Sequence, residues 1–332
     1  MVEILFLVYQ NRRSIDTLED RIKHIPIIII AGPTATGKSK LAVELADELK
    51  SEVISCDSMQ VYKNLDIATA KIKEKDMCGI KHHMLDIVTA NTEYTVERYI
   101  SEVKPIIEEI NRKGKIPIIC GGTGLYITSL LEGINFDSHP YSRDLRETIE
   151  KEYDRDNGAT IYSQLKEKDP IQASKIHVND RKRVVRATEI LRTTETIPSI
   201  INKISKGISP YISYTIVLTV SNRQKLYSDI DYRVETMMEE GLLNEAEFVY
   251  INREEFITAS QIIGYKEFFP YFEGKSDLLG CVEILKRSSR QYAKRQITWF
   301  KKLPDAVFVD TQNINISSLV EEAKNKFMYE TD

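Results

Sequence analysis

Cysteine is scarce in this sequence, and its spacing argues against two structural classes. The 332 residues include four cysteines, none of them in a C-x-x-C pair: Cys56, Cys78, Cys120 and Cys281. Such isolated cysteines fit neither a structural zinc site nor a disulfide framework. We therefore expect a protein of the reducing cytoplasm.

Long apolar runs and an excess of positive charge are also missing. No run approaches the ~20 apolar residues that a membrane-spanning helix needs. The apolar run at residues 4–8 lacks the features of a signal peptide, and we treat residues 1–24 as an N-terminal extension. A net charge of −4 confines any nucleic-acid binding to local patches. Nothing in the sequence demands more than a monomer or predicts contact with a membrane.

The strongest signal present is a phosphate-binding motif. An apolar run at residues 25–31 predicts a buried strand, and it leads into Gly32-Pro33-Thr34-Ala35-Thr36-Gly37-Lys38-Ser39, which matches the P-loop pattern G-x-x-x-x-G-K-[ST]. The glycines let backbone N–H groups point at an anion, and Lys38 adds a full positive charge. Ser39 can place its hydroxyl on a Mg²⁺ that bridges phosphate oxygens. The motif predicts binding of a phosphate chain but does not say which one.

Two more predicted strands end in polar or glycine-rich loops. Residues 52–56 lead into Asp57-Ser58-Met59-Gln60, and residues 116–120 lead into Gly121–Tyr126, with Thr123 between glycines. In an open α/β sheet the loops at the carboxyl ends of strands face the ligand crevice. Asp57 could bind a metal through water, accept a proton or only cap the next turn. The glycines could serve a second substrate or only a tight turn.

Between residues 137 and 207 charged helical patterns replace the apolar strands. This change predicts a helical insertion domain within a core formed by residues 25–136 and 208–332. A basic stripe at residues 181–192 fits either a solvated helix face or a nucleic-acid contact, and residues 193–210 are the candidate linker. The predicted fold class is α/β, with a P-loop NTPase-like parallel sheet flanked by helices and interrupted by this insertion.

Basic residues gather in two further helices. Arg223 and Arg233 lie in a helix that follows a strand at 212–220, where an arginine can clamp a phosphate bidentately or simply be an exposed structural residue. A helix predicted at 281–303 carries seven Lys/Arg against one Glu, interleaved with aromatic residues. That imbalance on a protein of net negative charge is typical of a surface that binds a polyanion.

Seven motifs in a fixed order give the sequence a resemblance to a known family. They are Gly32–Ser39 and residues 57–62, 66–71, 121–126, 183–187, 263–267 and 292–300. This set resembles the tRNA dimethylallyltransferases (tRNA isopentenyltransferases), and the last two motifs are specific to them. Asn64 and Ala68 depart from the family, whose members usually carry glycine there, but they lie beside the expected chemistry. No zinc-finger spacing follows the basic helix, as expected of the shorter bacterial form.

The resemblance implies that a dimethylallyl group passes from dimethylallyl diphosphate to N6 of adenosine 37, next to the tRNA anticodon, with release of diphosphate. The groups expected to stabilise the leaving diphosphate are Lys38, Arg223 or Arg233, and a Mg²⁺ held by Ser39. Asp57 is the candidate general base. Thr34 and Thr123 are expected to position the phosphates and the target nucleotide.

The resemblance also implies a surface for the tRNA anticodon stem-loop, whose target base must be extruded from its stack into the pocket. The residues expected to contact the tRNA are Asp57, Ser58, Met59, Gln60, Thr123, Arg146, Lys182, Arg183, Val184, Val185, Arg186, Arg290, Lys294 and Arg295. Two other activities stay open. An isopentenyltransferase acting on free adenine nucleotides would not need the basic helix, and a P-loop kinase or ATPase would use RNA only as a partner.

Overall fold

The structure, a computed structural model, describes residues 24–136, 143–194 and 197–329. The predicted N-terminal extension lies outside these ranges except for His24, and so do residues 137–142 at the start of the predicted insertion. The described chain divides into two compact units. One contains the residues up to Leu131 and from Pro210 onward, and the other runs from Glu132 to Ser209.

A six-stranded parallel sheet forms the centre of the first unit. Its strands are β1 (Ile25–Ala31), β2 (Val53–Ser55), β3 (His82–His83), β4 (Ile118–Cys120), β5 (Tyr211–Thr219) and β6 (Val307–Asp310). They lie in the order β3-β2-β4-β1-β5-β6, with every pair parallel. The continuous burial of Ile27–Ala31 in β1 is what a parallel strand covered on both faces requires.

Helices flank this sheet and confirm the predicted α/β class. In the first unit they are α1 (Lys38–Glu48), α2 (Val96–Arg112), α3 (Gly124–Leu131), α9 (Arg223–Glu239), α10 (Leu242–Ile251), α11 (Phe269–Phe272), α12 (Leu278–Phe300) and α13 (Ile316–Tyr329). Leu41 of α1 and Leu319 of α13 share one buried cluster with Ile30 of β1. Within the described ranges no helix has the length and apolar character that crossing a membrane requires.

The strand order brings the three predicted loops to one edge. Ile30 and Ser55, near the ends of β1 and β2, both align with Cys120 at the end of β4. Because these strands are parallel neighbours, the loops that follow them leave the sheet at the same edge. The Gly121 N–H donates to the carbonyl of Ile30 at 3.1 Å, and the Thr123 N–H donates to the carbonyl of Cys56 at 3.3 Å. These bonds fix the second glycine loop against its neighbours.

Helices joined by short loops make up the described part of the second unit. Its helices are α4 (Arg143–Asp156), α5 (Ala159–Lys168), α6 (Pro170–Ala173), α7 (Arg181–Thr193) and α8 (Pro198–Ile204). Their apolar faces meet around Ile149, Leu165 and Val184, which are buried completely. The stretch expected as a linker, residues 193–210, contains α8, so that expectation is wrong. Pro198 starts this helix, where its missing N–H has no cost.

Glu52, which precedes β2, is a buried carboxylate surrounded by bases. Its two oxygens lie 2.7 Å from His83 Nε2 and 3.3 Å from Lys113 Nζ. Burial alone would raise the pKa of Glu52, but the hydrogen bonds from His83 and Lys113 outweigh it and lower the pKa to about 2. The carboxylate therefore holds the strand edge to the end of α2 as long as it is ionised.

Replacing Glu52 should destabilise the protein in a pH-dependent way. The folded pKa of Glu52 lies below its ordinary value of 4.5, so its contribution is complete above about pH 4.5 and is lost as the pH falls toward about 2. We expect Glu52→Gln to lower the free energy of unfolding by about 3 kcal/mol at pH 7 and by much less near pH 2.5, measured by urea denaturation. The exposed Glu109, which also pairs with Lys113, gives the control Glu109→Gln, with little change expected. A Glu52→Gln deficit that is the same at both pH values would contradict this account.

Candidate active site

A cavity of about 470 Å³ opens where the three loops meet. The P-loop contributes residues 34–39, the loop after β2 contributes residues 57–60, and the glycine loop contributes Gly121 and Gly122. Helices α9 and α12 complete the wall, with Arg233 from the first and Arg295 and Gln296 from the second. The structure thus places most of the predicted diphosphate site and part of the predicted tRNA site around one space.

The P-loop curls tightly around its own carbonyl group. Thr36 Oγ1 and Lys38 Nζ donate to the carbonyl oxygen of Pro33 at 2.8 and 2.6 Å. Gly32 has φ +149°, and a Cβ there would lie 2.8 Å from the carbonyl oxygen of Leu218 in β5, so only glycine fits. Burial lowers the pKa of Lys38 to about 8. The ammonium is poorly solvated in this position and is well placed to gain an anionic partner.

Asp57 and Arg233 line the cavity beside Lys38, and all three are half-buried. Asp57 Oδ1 accepts the N–H of Met59 at 2.9 Å. Burial raises the pKa of Asp57, and that bond and the charges of Lys38 and Arg233 counteract part of the rise. Burial lowers the pKa of Arg233, against the attraction of Asp57. When all three groups are ionised, two positive charges face one negative charge, so the cavity favours an anion.

Thr123 supports the Asp57 loop instead of lining the cavity. Its Oγ1 accepts the N–H of Ser58 at 3.0 Å, and its hydroxyl lies 3.3 Å from Ser58 Oγ. The side chain of Gln60 is held in a similar way, since Ser55 Oγ lies 3.0 Å from its Oε1 and its Nε2 donates to the carbonyl of Thr69 at 3.2 Å. The loop that carries Asp57 is therefore fixed from both sides.

Gln296 is a site residue to which the sequence assigned no role, although it lies in one of the family motifs. It is 6% exposed, and its amide joins two loops: Oε1 accepts the N–H of Thr34 and Nε2 donates to the carbonyl of Gly122, both at 3.0 Å. A sequence signal was present, because Gln296 is a polar residue on the buried stripe of α12 that includes Ala293 and Phe300.

Glu245 of α10 is a second residue that the sequence did not identify. Its carboxylate accepts the N–H groups of Asp66, Ile67 and Ala68 at 2.7–3.1 Å and the hydroxyl of Tyr265 at 2.7 Å. Ala68 and the next two residues line the cavity. Glu245 therefore shapes this wall and connects two of the motifs that carry the family resemblance.

Several predicted residues of the first unit lie outside the cavity lining. Arg223 is exposed at the start of α9, where its Nε donates to the Tyr227 hydroxyl at 2.8 Å, whereas Arg233 lines the cavity. Arg290 forms an ion pair with Asp231, and Lys294 is exposed on α12. Arg295 lines the cavity with its guanidinium 5.6 Å from the centre of the Tyr292 ring.

The second unit requires one correction. The side chains of Val184 and Val185, predicted to contact tRNA, are 0% and 1% exposed in the core of this unit and cannot touch RNA. Lys182 and Arg183 are exposed, and Arg183 lies 3.3 Å from Asp180. Arg186 pairs with buried Glu189 at 2.6 Å, and Arg146 is half-buried. Only part of the basic stripe therefore faces solvent.

The oxygen groups beside the P-loop fit a magnesium ion held mainly by substrate. Ser39 lies in the first turn of α1 and lines the cavity together with Asp57. The described residues contain no group of three or more His, Cys, Asp or Glu side chains arranged to hold a metal. Mg²⁺ commonly binds through few protein oxygens, completed by phosphates and water. A site based on the Ser39 hydroxyl agrees with that preference.

Comparisons with known proteins agree with these observations. A family model described as IPP transferase matches residues 60–303. A tRNA dimethylallyltransferase of Bacillus licheniformis is 42% identical over 300 residues, which are 90% of this chain and 95% of the relative. One from Caldanaerobacter subterraneus is 44% identical over 280 residues, covering 83% of this chain and 89% of the relative.

Solved structures share the fold. A full-length tRNA isopentenylpyrophosphate transferase from Bacillus halodurans gives a TM-score of 0.69 at 35% identity and covers 93% of this chain and 100% of its own. A eukaryotic dimethylallyltransferase acting on tRNA gives a TM-score of 0.78 at 33% identity and covers 92% of this chain and 80% of its own. With a family model that matches well over half of the sequence and relatives above 40% identity, the chain belongs to the IPP transferase family.

Proposed function

We propose that this protein transfers a dimethylallyl group from dimethylallyl diphosphate to N6 of adenosine 37, beside the anticodon of a tRNA, and releases diphosphate. The observation that carries the proposal is one cavity that combines the cations Lys38 and Arg233, the carboxylate Asp57 and an apolar wall. The tRNA dimethylallyltransferases among its relatives support the same reaction.

The cationic part of the cavity receives the diphosphate. The N–H groups of the P-loop, Lys38 and the start of α1 surround the anion, with Thr34 at the mouth of the loop. Arg233 reaches the same space from α9. As the C–O bond breaks, negative charge grows on the diphosphate, and these preorganised groups stabilise it where water does not screen them. Arg233 is our choice over Arg223 for this role, because Arg223 does not line the cavity.

The apolar part of the cavity receives the five-carbon allylic group. Ile230, Val234 and Leu285 line it and are no more than 2% exposed, and Met237 and Ile262 extend the same surface. Aliphatic walls of this kind bury a small hydrocarbon and keep water away. Excluding water protects the allylic carbon, which becomes positively charged as the leaving group departs, from hydrolysis.

Asp57 accepts the proton of the reaction. The N6 lone pair of adenine is conjugated with the ring and is a weak nucleophile. It forms the new N–C bond while the C–O electron pair leaves with the diphosphate, and the N6 proton passes to Asp57. Lys38 and Arg233 keep the pKa of Asp57 from rising as far as burial alone would take it. A diphosphate that pairs with these cations removes that restraint, so donor binding makes Asp57 a stronger base.

A magnesium ion, a single chain and a cytoplasmic location complete the proposal. Mg²⁺ held by Ser39 would supply additional positive charge to the diphosphate oxygens when bound. The proposal includes action as a monomer, because nothing in the sequence demands a larger assembly. All four cysteines are free thiols, with Cys78 exposed, which supports a reducing compartment.

The RNA surface that we propose includes the exposed face of α12. Lys286 and Arg290 pair with Glu235 and Asp231 of α9, so they serve the protein's own packing. Arg287 and Lys294 are exposed on the same helix. In the second unit, Lys182 and Arg183 on α7 offer similar exposed charge. Such residues hold an RNA stem-loop by its phosphates and lend no sequence preference.

Labelled substrates test the function directly. Dimethylallyl diphosphate with label in the allyl group is incubated with the protein and Mg²⁺, with unmodified tRNA or AMP as acceptor, and γ-labelled ATP is run in parallel. We expect label in tRNA adenosine, none in AMP and no transfer or release of the ATP γ-phosphate. Label in AMP alone would assign the protein to free nucleotides, and consumption of ATP without prenyl transfer would assign it to the kinases or ATPases.

Replacing Asp57 separates chemistry from binding. Asp57→Asn keeps an oxygen that accepts the Met59 N–H but cannot take a proton, and Asp57→Ala loses both functions. Single-turnover rates should fall by roughly 10²–10⁴-fold in each variant. The Kd for tRNA should stay nearly the same, at least in Asp57→Asn. A variant that reacts at the normal rate but binds tRNA weakly would make Asp57 a nucleotide-positioning residue.

Reversing exposed charges tests the RNA surface. Arg287→Glu and Lys294→Glu should each weaken tRNA binding and reduce the slope of log Kd against log salt concentration by about 1. These residues are preferred to Arg290, whose reversal would place a carboxylate beside Asp231. Lys324→Glu makes the same change on α13 and should leave the slope as it is. A wild-type slope in both Arg287→Glu and Lys294→Glu would remove α12 from the interface.

A further inference from the structure

The side chain of Gln296 connects the P-loop with the glycine loop after β4. Its two hydrogen-bond partners are Thr34, 262 residues away in the sequence, and Gly122, 174 residues away. Each hydrogen bond is 3.0 Å long. One partner, Thr34, belongs to the loop that holds the diphosphate in the proposed function. The other, Gly122, lies beside Asp57, where the acceptor base enters: a Cβ on Gly122 would lie 4.0 Å from Asp57 Oδ2.

The chemistry of the two partners fixes the orientation of this amide. The backbone N–H of Thr34 can only donate and the carbonyl of Gly122 can only accept, so the side chain between them must accept at one end and donate at the other. Glutamine does both. An ionised carboxylate would face the carbonyl oxygen with lone pairs, and an apolar side chain would leave both backbone groups unpaired in a buried place.

The contact between the glycine loop and Gln296 is also close. A Cβ on Gly122 would lie 2.3 Å from Gln296 Nε2, so the amide occupies the space that a side chain at position 122 would need. Gln296 itself is buried between Ala293 and Phe300 on α12, and both of those are fully buried. A displacement of either loop must therefore break a hydrogen bond or move the other loop with it.

We propose that Gln296 couples the two substrate sites, so that diphosphate bound at the P-loop tightens the binding of tRNA and the reverse. This inference rests on the proposed function. When the P-loop wraps a bound diphosphate, Thr34 is restrained. Because Gln296 joins Thr34 to Gly122, Gly122 is then restrained before the acceptor arrives. The second substrate then meets a loop that is already ordered, and by linkage each ligand strengthens the other by the same factor.

The test measures this factor at equilibrium, without turnover. The Kd of unmodified tRNA is determined by fluorescence anisotropy with and without saturating inorganic diphosphate and Mg²⁺, and the ratio of the two values is the coupling factor. For the wild-type protein we expect about tenfold tighter tRNA binding in the presence of diphosphate. In Gln296→Met, which keeps the size but neither hydrogen bond, the ratio should fall to near one.

A second variant guards against a simple loss of folding. Gln296→Glu loses the donor at neutral pH, but a protonated carboxyl both accepts and donates, so the coupling factor of this variant should recover as the pH is lowered. Wild-type protein measured at the same pH values controls for the other charged and polar groups around the cavity, which are Lys38, Lys40, Asp57, Arg233, Lys266, Tyr292 and Arg295. Gln312→Glu places the same charge at an exposed position after β6, off α12 and outside the cavity lining, and should keep the wild-type ratio.

Each of these measurements tests the coupling between the two sites independently of prenyl-transfer activity. A wild-type ratio of one, or an unchanged ratio in Gln296→Met, would overturn the role of Gln296 while leaving prenyl transfer intact. Absence of prenyl transfer by the wild-type protein would instead overturn the proposed function. A structural role alone would lower the stability of Gln296→Met without changing the ratio, and circular dichroism with urea denaturation would report that separately.

Discussion

Three half-buried charged groups that line one cavity at the edge of a parallel sheet determine what this protein can bind. Burial lowers the pKa of Lys38 to about 8, raises that of Asp57 and lowers that of Arg233, so each group resists being charged there. Charges in such places cost several kcal/mol unless they are paired, and here two cations share one carboxylate. Their net charge is +1, so a bound anion completes the balance. The site is therefore organised for an anion before any substrate arrives, which is the condition for the electrostatic catalysis that we propose.

The parallel sheet holds these charged groups together, and much of the sheet could be predicted from the sequence. The isoleucine run of β1 and the glycines after it are local signals, and so are Asp57 and Gly121 directly after short apolar strands. Parallel strands that end together bring such loops to one edge whatever their order. The edge strands β3 and β6, with two and four residues, carry too little pattern to be recognised. Their places in the sheet depend on pairing that a linear pattern does not encode.

The remainder of the site depends on contacts between distant parts of the chain. Gln296 bonds to Thr34 across 262 residues, and no local periodicity specifies that partner. Arg223 and Arg233 both lie at helical spacing from the buried residue Ile230 of α9. Ten residues separate the two arginines by about 15 Å along the helix axis, and only Arg233 lines the cavity. The sequence could not choose between them. For Val184 and Val185 the prediction of tRNA contact was wrong. They belong to the same sequence motif as exposed bases, but their side chains lie in the hydrophobic core.

The P-loop accounts for binding of an anion but does not determine which reaction follows. Its N–H groups, lysine and serine suit any chain of phosphates. What differs here is the surroundings. Part of the wall consists of the buried aliphatic side chains Ile230, Val234 and Leu285. These offer no hydrogen bond to a polar sugar or a γ-phosphate acceptor but suit an allylic hydrocarbon. Asp57 and Gln296 come from neighbouring elements and face the same space. In the proposed reaction, the diphosphate therefore leaves with the cations, and the allylic group that it leaves behind lies against the apolar wall.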